Sequence, residues 1–413
     1  MLKRRGVVIL GPLAVATTLL AASAQGSRPG TAASDLVVHE WGTFTTVAGA
    51  DGHAVQWRPL SGPADLPCFV TALNPGSIKT DRGGVAGLKA AVRMETPVLY
   101  FYSPREQTVR AKVEFMQGVI SEWYPQANVP LAIPARTMAN GFGSIEWADV
   151  RVTPDAKPNL PTDSGKSHYY AARETDAASV QVGSQQEKFL FYRGIANFPV
   201  PVSAIVARDG TIAVKSIAEY GIGTFIMFER RGNRLGYRII HPHANEISVV
   251  RPGLTESVES LREALRGLLV EQGLYPREAA AMLETWRDSW FEDGARLFYL
   301  LPQATVDAIL PLQIQPRPAT IARVFVGRME IVTPEIQTDV ARAIRMNDRQ
   351  TLRKYGRFLA PFSAVAQAQL SATHDEAKIV RAVRTIAAEH AAQPAACPAG
   401  PATPSVTGYN RAP

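Results

Sequence analysis

Residues 246–268, EISVVRPGLTESVESLREALRGL, contain the point at which the chain changes its hydrophobic period. EISVV is a short β-branched run of the kind that forms strands. Beyond Pro252-Gly253, the apolar residues Val258, Leu261, Leu265 and Leu268 recur at three- and four-residue spacings, which is one face of a helix. Gly273 is a natural stop for it. What lies on either side of this switch decides the fold class.

Upstream, from Asp35 to Arg251, short runs of Val, Ile, Phe, Tyr and Thr are broken by Gly, Pro, Asn and Asp. In QTVRAKVEFM, Val109, Ala111, Val113 and Phe115 alternate with Arg110, Lys112 and Glu114, the pattern of a strand with one buried and one wet face. Ala207-Arg208-Asp209-Gly210 between SAIV and TIAV reads as a hairpin turn. Many short strands at this spacing predict an antiparallel sandwich or barrel. Downstream, Pro276 opens a second, long helix expected to end before Pro302, with Met282, Trp286 and Trp290 on its buried stripe. One strand is expected at 321–332, then a helix capped by Thr333-Pro334-Glu335 with Ile336, Val340 and Ile344 facing inward, then helices through LRKYGRFL and DEAKIVRAVRTIAAEH. The predicted class is α+β: an antiparallel, sandwich-like β-rich region over 35–252 and a mainly helical region with one added strand over 253–392.

The ends carry other signals. MLKRR is a basic lead, GVVILGPLAVATTLLA an apolar segment, and Ala22-Ser23-Ala24 a small-residue cleavage site, so 1–24 reads as a signal peptide and 25–34 as a flexible lead. Nothing else is long and apolar enough to span a bilayer, and the expected location is periplasmic or secreted. The Pro/Ala-rich tail 393–413 reads as disordered. Removing Lys3, Arg4 and Arg5 would lower the formal charge of the 413-residue chain from +7 to +4, and with no Lys/Arg-rich block a nucleic-acid partner is not expected. With 46% hydrophobic and 20% charged residues, wholesale disorder and a polytopic membrane protein are both excluded. Cys68 and Cys397 are the two cysteines; an exported compartment permits their pairing, and two unpaired thiols are equally compatible with the sequence.

HEWGTFTT, RMETPVLYFYSP, EKFLFYRG, TWRDSWFEDGARLFYLLP and RVFVGRMEIVTP resemble segments of an uncharacterised family of exported bacterial proteins. The likeness spans most of the chain beyond the leader. That family has no assigned activity, so the resemblance implies export and contributes no catalytic residues.

Candidate chemistry therefore comes from the residues alone. His39-Glu40-Trp41 places an imidazole and an indole on one face of a strand and a carboxylate on the other. His168, Arg173 and Glu174 lie in a dense polar loop, 168–176, between a Pro/Gly-rich stretch and the strand EKFLFYRG. His39, Glu40, His168, Arg173 and Glu174 are thus the candidate catalytic set, and Glu95 is a further carboxylate to place. His241 and His243, with Glu246 near, have the i, i+2 spacing of metal ligands on a strand, set against a surface turn between GYRII and EISVV. No cofactor is required by the sequence, a divalent metal at these histidines being the lesser alternative. No Gly-x-Ser-x-Gly elbow occurs, and Gly165-Lys166-Ser167 lacks the leading glycine of a phosphate-binding loop. The expectation is an exported binding or envelope-associated module, with an envelope or extracellular polymer or protein as partner. The alternative is an extracytoplasmic hydrolase, metal-assisted or glycosidic, using the His39/Glu40 strand and the 168–176 loop.

Overall fold

A computed structural model describes residues 35–61, 66–73, 88–130, 142–163, 167–217, 223–366 and 376–391. Residues 1–34, read above as a signal peptide and a flexible lead, lie outside these residues, as do Cys397 and the tail. The first strands in chain order are β1 (Val37–Val47), β2 (Thr71–Ala72), β3 (Val92–Tyr102), β4 (Gln107–Met116), β5 (Gly118–Tyr124) and β6 (Phe142–Thr153). A 3-10 helix (His168–Arg173) precedes β7 (Ser179–Val182), β8 (Gln185–Glu187), β9 (Leu190–Ala196), β10 (Val202–Val206) and β11 (Ile212–Ser216). Next come β12 (Phe225–Arg231), β13 (Arg234–Ile240) and β14 (Glu246–Val249), then α1 (Val258–Glu271) and α2 (Pro276–Thr285). The chain continues through β15 (Gly294–Leu301), α3 (Gln303–Ile309), β16 (Leu312–Gln315) and β17 (Thr320–Ile331). It closes with α4 (Pro334–Met346), α5 (Arg349–Tyr355), α6 (Leu359–Val365) and α7 (Glu376–Ala391).

The class is α+β, as the change of period predicts. A nine-stranded sheet runs β13-β12-β15-β17-β1-β3-β9-β5-β2, beside a five-stranded sheet β16-β4-β6-β7-β8 and a three-stranded sheet β10-β11-β14. Pairing is antiparallel except for β1 against β17, where Val37 faces Thr320 and Val47 faces Glu330. The large sheet therefore draws strands from both sides of residue 252: the element type changes there, and the sheet continues across it. Two expectations for the second half need correction. Residues 294–301, GARLFYLL, form strand β15 and not the end of a long helix; α2 stops at Thr285. With a single charge, Arg296, among apolar residues this stretch shows no helical face, and its place between β12 and β17 buries both of its sides. The strand at 320–331 is also accompanied by β15 and the short β16.

Each face of the large sheet carries a different layer. On one, Val38, Phe44, Met94, Leu99 and Phe101 meet Val109, Ala111, Val113, Phe115, Ile145 and Trp147 of the five-stranded sheet, a sandwich-like packing. On the other, Trp41, Val98, Tyr100 and Val324 lie under α1, α2 and the 286–291 segment through Leu261, Leu265, Met282, Trp286 and Trp290. Further along that face, Val47 and Val332 pack with Val340, Ile344, Phe358 and Phe362 of the C-terminal helices. Local signals account for the helix ends. Ser257 caps α1, Gly273 at φ 110° lets the chain leave it, and Thr333 with Pro334 opens α4.

Candidate functional site

Strand β1 is rich in β-branched and aromatic residues and is buried from Val38 to Val47, as befits a strand covered on both faces. Its pleat sends His39 and Glu40 to opposite sides. His39 Nδ1 lies 2.8 Å from Glu278 Oε2, and both side chains are buried. Glu278 also accepts from Tyr102 Oη at 2.8 Å and from the Tyr275 backbone N–H at 2.8 Å. With Glu278 already accepting from two other donors, the tautomer that suits this contact carries its proton on His39 Nδ1 and leaves Nε2 as the acceptor. The rings of Tyr275 and Tyr102 stand 4.5 and 5.3 Å from the imidazole. The contact to Tyr275 N–H also closes the first turn of α2, so Glu278 is at once cap and histidine partner.

On the other side, Glu40 accepts from Tyr192 Oη at 2.5 Å and Arg323 Nε at 2.6 Å. Arg323 in turn donates to Asp307 and to the Leu310 carbonyl, both at 2.7 Å. Burial opposes the charge of Arg323, but Glu40 and its neighbours hold its pKa above the ordinary value. This is a paired internal charge, with Glu40 fully enclosed.

The 168–176 loop forms a 3-10 helix packed on α2, and its candidates are engaged separately. His168 Nε2 meets the exposed Asp288 at 2.8 Å. Arg173 grips Glu187 through Nε at 2.9 Å and Nη2 at 2.6 Å, donates to Pro161 O, and lies 4.9 Å over the Tyr170 ring. Glu174 is exposed. His241 Nδ1 contacts Thr224 Oγ1 at 2.9 Å beyond the end of β13, and His243 is exposed in the turn before β14. Among the described residues no group of three or more His, Cys, Asp or Glu side chains is arranged to hold a metal ion. His39, Glu40, His168 and Arg173 thus take different partners, and the partner of His39 comes from the helical half of the chain.

A denser polar arrangement lies on the His39 face of the sheet, in the seam between the α1/α2 layer and the C-terminal helices. Thr45 of β1 stands opposite Arg328 of β17 and Arg93 of β3, and Thr43 stands opposite Glu95. Glu95 Oε1 is approached by Arg357 Nη1 at 2.5 Å and by Arg93 Nε at 3.4 Å. Arg328 donates to Glu330 and to Glu292, each at 2.7 Å, while Arg296 pairs with Glu330 at 3.0 Å and donates to Trp290 O at 2.6 Å. Burial opposes ionisation of Glu95, but Arg357, Arg93 and Arg328 together hold its carboxyl below the ordinary range. Burial likewise opposes the charge of Arg328, and Glu330, Glu292 and Glu95 outweigh it.

Several buried atoms here have no hydrogen-bond partner among the described residues: Thr43 Oγ1, Thr45 Oγ1, Glu95 Oε2 and Arg328 Nη1. Buried polar atoms are paired in the great majority of folded proteins, so four on neighbouring strands are a concentration that calls for a reason. The backbone adds a second irregularity. The β1–β3 register shifts between Trp41 and Thr43, and Thr96, β-branched and buried, takes φ 48°. A bulge with a strained residue beside it re-aims the neighbouring side chain, here Glu95.

The belt reaches solvent at Glu292, whose side chain is 38% exposed, and at Arg357, 16% exposed. Beside it a cleft of about 300 Å³ is lined by Arg230, Asp293, Gly294, Glu335, Lys354 and Tyr355. Lys354 and Asp293 pair across it at 2.9 Å. Gly294, at φ 133°, lies so close to the belt that a Cβ there would stand 2.7 Å from Arg296 Nη2.

Sequence reasoning missed Glu278, Thr43, Thr45, Arg328 and Arg357. A usable signal was present: Arg93 and Glu95 in VRMETPVLYFY, and Arg328 and Glu330 in RVFVGRMEI, are charges inside otherwise apolar strands. No family model matches this sequence, and no curated protein shows significant similarity to it.

Proposed function

We propose that this is an exported binding protein that holds a small polar ligand in the seam between its two helical layers, where Thr43, Thr45, Glu95 and Arg328 converge. The observation that carries the reading is the set of unpartnered, fully buried polar atoms beside the strained bulge at Thr96. Four groups of mixed donor and acceptor character suit a ligand that carries both. Export is supported by the basic and apolar leader ending at Ala22-Ser23-Ala24. A thermal-shift screen of small polar metabolites tests the binding reading. Hits are expected with the native protein and lost in Thr45→Val, which keeps the side-chain shape and removes the hydroxyl. Hits that are unchanged in that variant refute the seam as the site.

A second reading, an extracytoplasmic hydrolase, is favoured by the Glu278–His39 pair. A carboxylate on Nδ1 that leaves Nε2 as acceptor is the arrangement of a general base. Hydrolysis by the purified protein that disappears in His39→Gln, with folding retained, would move the site to that end of β1.

A further inference from the structure

The five-stranded sheet turns Val150 and Val152 of β6 and Val180 of β7 into the sandwich core, so the pleat sends Arg151, Thr153 and Gln181 to its outer face. Arg151 stands opposite Gln181, and Gln181 opposite Gln186 of β8, which sets three long polar side chains in a row across three strands. Past Thr153 the chain folds back beside this row, where the Asn159 N–H donates to Gln186 Oε1 at 2.8 Å. Between the row and the returning segment lies a groove of about 320 Å³, whose walls include Glu106, Pro154, Asp155 and Pro158. We propose that this groove is a second ligand site, independent of the seam, and that it takes a neutral saccharide unit.

The two amides are already oriented. Gln186 uses its carbonyl on Asn159, so its NH2 remains to donate; Gln181 donates its nitrogen to Gly183 O at 2.9 Å, so its carbonyl remains to accept. Arg151 is paired with Glu106, and Asp155 is an exposed carboxylate with no partner among the described residues. Donors and acceptors thus stand side by side in one groove, and a hydroxyl is the group that answers either. An anion would meet two carboxylates and a single guanidinium that Glu106 already engages. A bare cation offers no acceptor to the Gln186 amide. The lining holds no aromatic side chain, so a flat apolar ring finds no stacking partner, whereas Pro154 and Pro158 suit the C–H face of a sugar. The volume admits one ring. Because Glu106, Arg151 and Asp155 are exposed, the groove is open and that ring can belong to a longer glycan. Its polar groups are hydrated when it is empty, so the affinity expected is modest.

Saturation-transfer NMR on the purified protein tests this, with D-glucose, D-galactose and N-acetyl-D-glucosamine as probes and D-glucuronate as the anionic counterpart. Transfer is expected from at least one neutral probe at millimolar concentration, and more weakly from D-glucuronate. Gln181→Ala and Asp155→Ala each remove one hydrogen-bonding group and should weaken that binding by roughly threefold to tenfold. Both side chains lie outside the core, so the urea midpoint of either variant is expected to stay at the native value. No transfer from any of the three neutral probes overturns the ligand class, and so does D-glucuronate bound at least as tightly as each of them. Binding undiminished in both variants overturns the groove as the site. Binding kept in both variants and lost in Thr45→Val overturns it too and assigns the sugar to the seam.

Discussion

Replacing Glu278 by alanine should destabilise the protein far more than a surface helix residue would. The carboxylate is fully enclosed and accepts from His39 Nδ1, Tyr102 Oη and the Tyr275 N–H, each at 2.8 Å. Hydrogen bonds to a charged acceptor contribute roughly 1.5–3 kcal/mol each, but they share one acceptor and do not add. Removing one member of a buried charged set costs about 3–5 kcal/mol, and part of that is the loss of the first turn of α2. Glu278→Gln keeps the volume and one acceptor oxygen while turning an amide donor toward a donor, so it should cost about 1–2 kcal/mol. Urea unfolding followed by tryptophan fluorescence reads both changes as shifts in midpoint at constant slope. A double-mutant cycle with His39→Gln isolates the pair, with a coupling of about 0.5–3 kcal/mol expected for residues in direct contact. Glu278→Ala within about 0.5 kcal/mol of the native protein, or a cycle with no coupling, would refute the pairing.

Two further outcomes follow from the charged interior. Glu40→Ala should destabilise by about 3–5 kcal/mol, because it strips the almost fully buried Arg323 of its closest carboxylate; a loss below about 1 kcal/mol in the same urea assay would contradict it. Stability should also fall as pH drops from 4.5 toward 2: burial opposes ionisation of Glu335, but hydrogen bonds from Arg251 and Thr333 hold its carboxyl down at about 2 against an ordinary 4.5, and Glu95 is lowered as well. A depressed carboxyl stabilises the native state fully above its unfolded pKa and loses that contribution as pH falls through the folded one. Urea midpoints that stay level between pH 4.5 and 2.5 would rule this out.

The class was legible because it rests on local periodicity: β4 alternates one residue at a time, and α1 repeats at helical spacing. Where burial is two-sided that information is gone. Every residue of β1 after Val37 is enclosed, so no wet face marks its register, and GARLFYLL reads equally well as helix or strand until β12 and β17 flank it. The parallel pairing of β1 with β17 joins Val37 to Thr320, a contact with no neighbouring signal to announce it. The candidate sites failed to converge for the same reason. His39 was singled out by its own chemistry, but Glu278 lies 239 residues away on a helix whose surface looks ordinary. Glu95 and Arg328 were visible as charges in apolar strands, and what makes them a site is Arg357 and the bulge at Thr96, neither of which the strand pattern predicts.

The two sites share one face of one strand, and this makes the competing readings separable. His39, Thr43 and Thr45 all point to the helical side of β1. At about 3.3 Å per residue, His39 and Thr45 stand roughly 20 Å apart, more than one small ligand can span. Between them lies the apolar stretch of Trp41, Val98 and Val324 beneath Trp286 and Trp290, which insulates one end from the other. Substitutions more than about 10 Å apart with no shared partners act independently. An activity that needs His39 and is indifferent to Thr45 therefore belongs to the Glu278 pair, and ligand binding with the reverse dependence belongs to the seam. Dependence on both would mean that the sheet transmits between its two ends, and Trp41, whose indole lies within the intervening layer, is then the residue through which to test it.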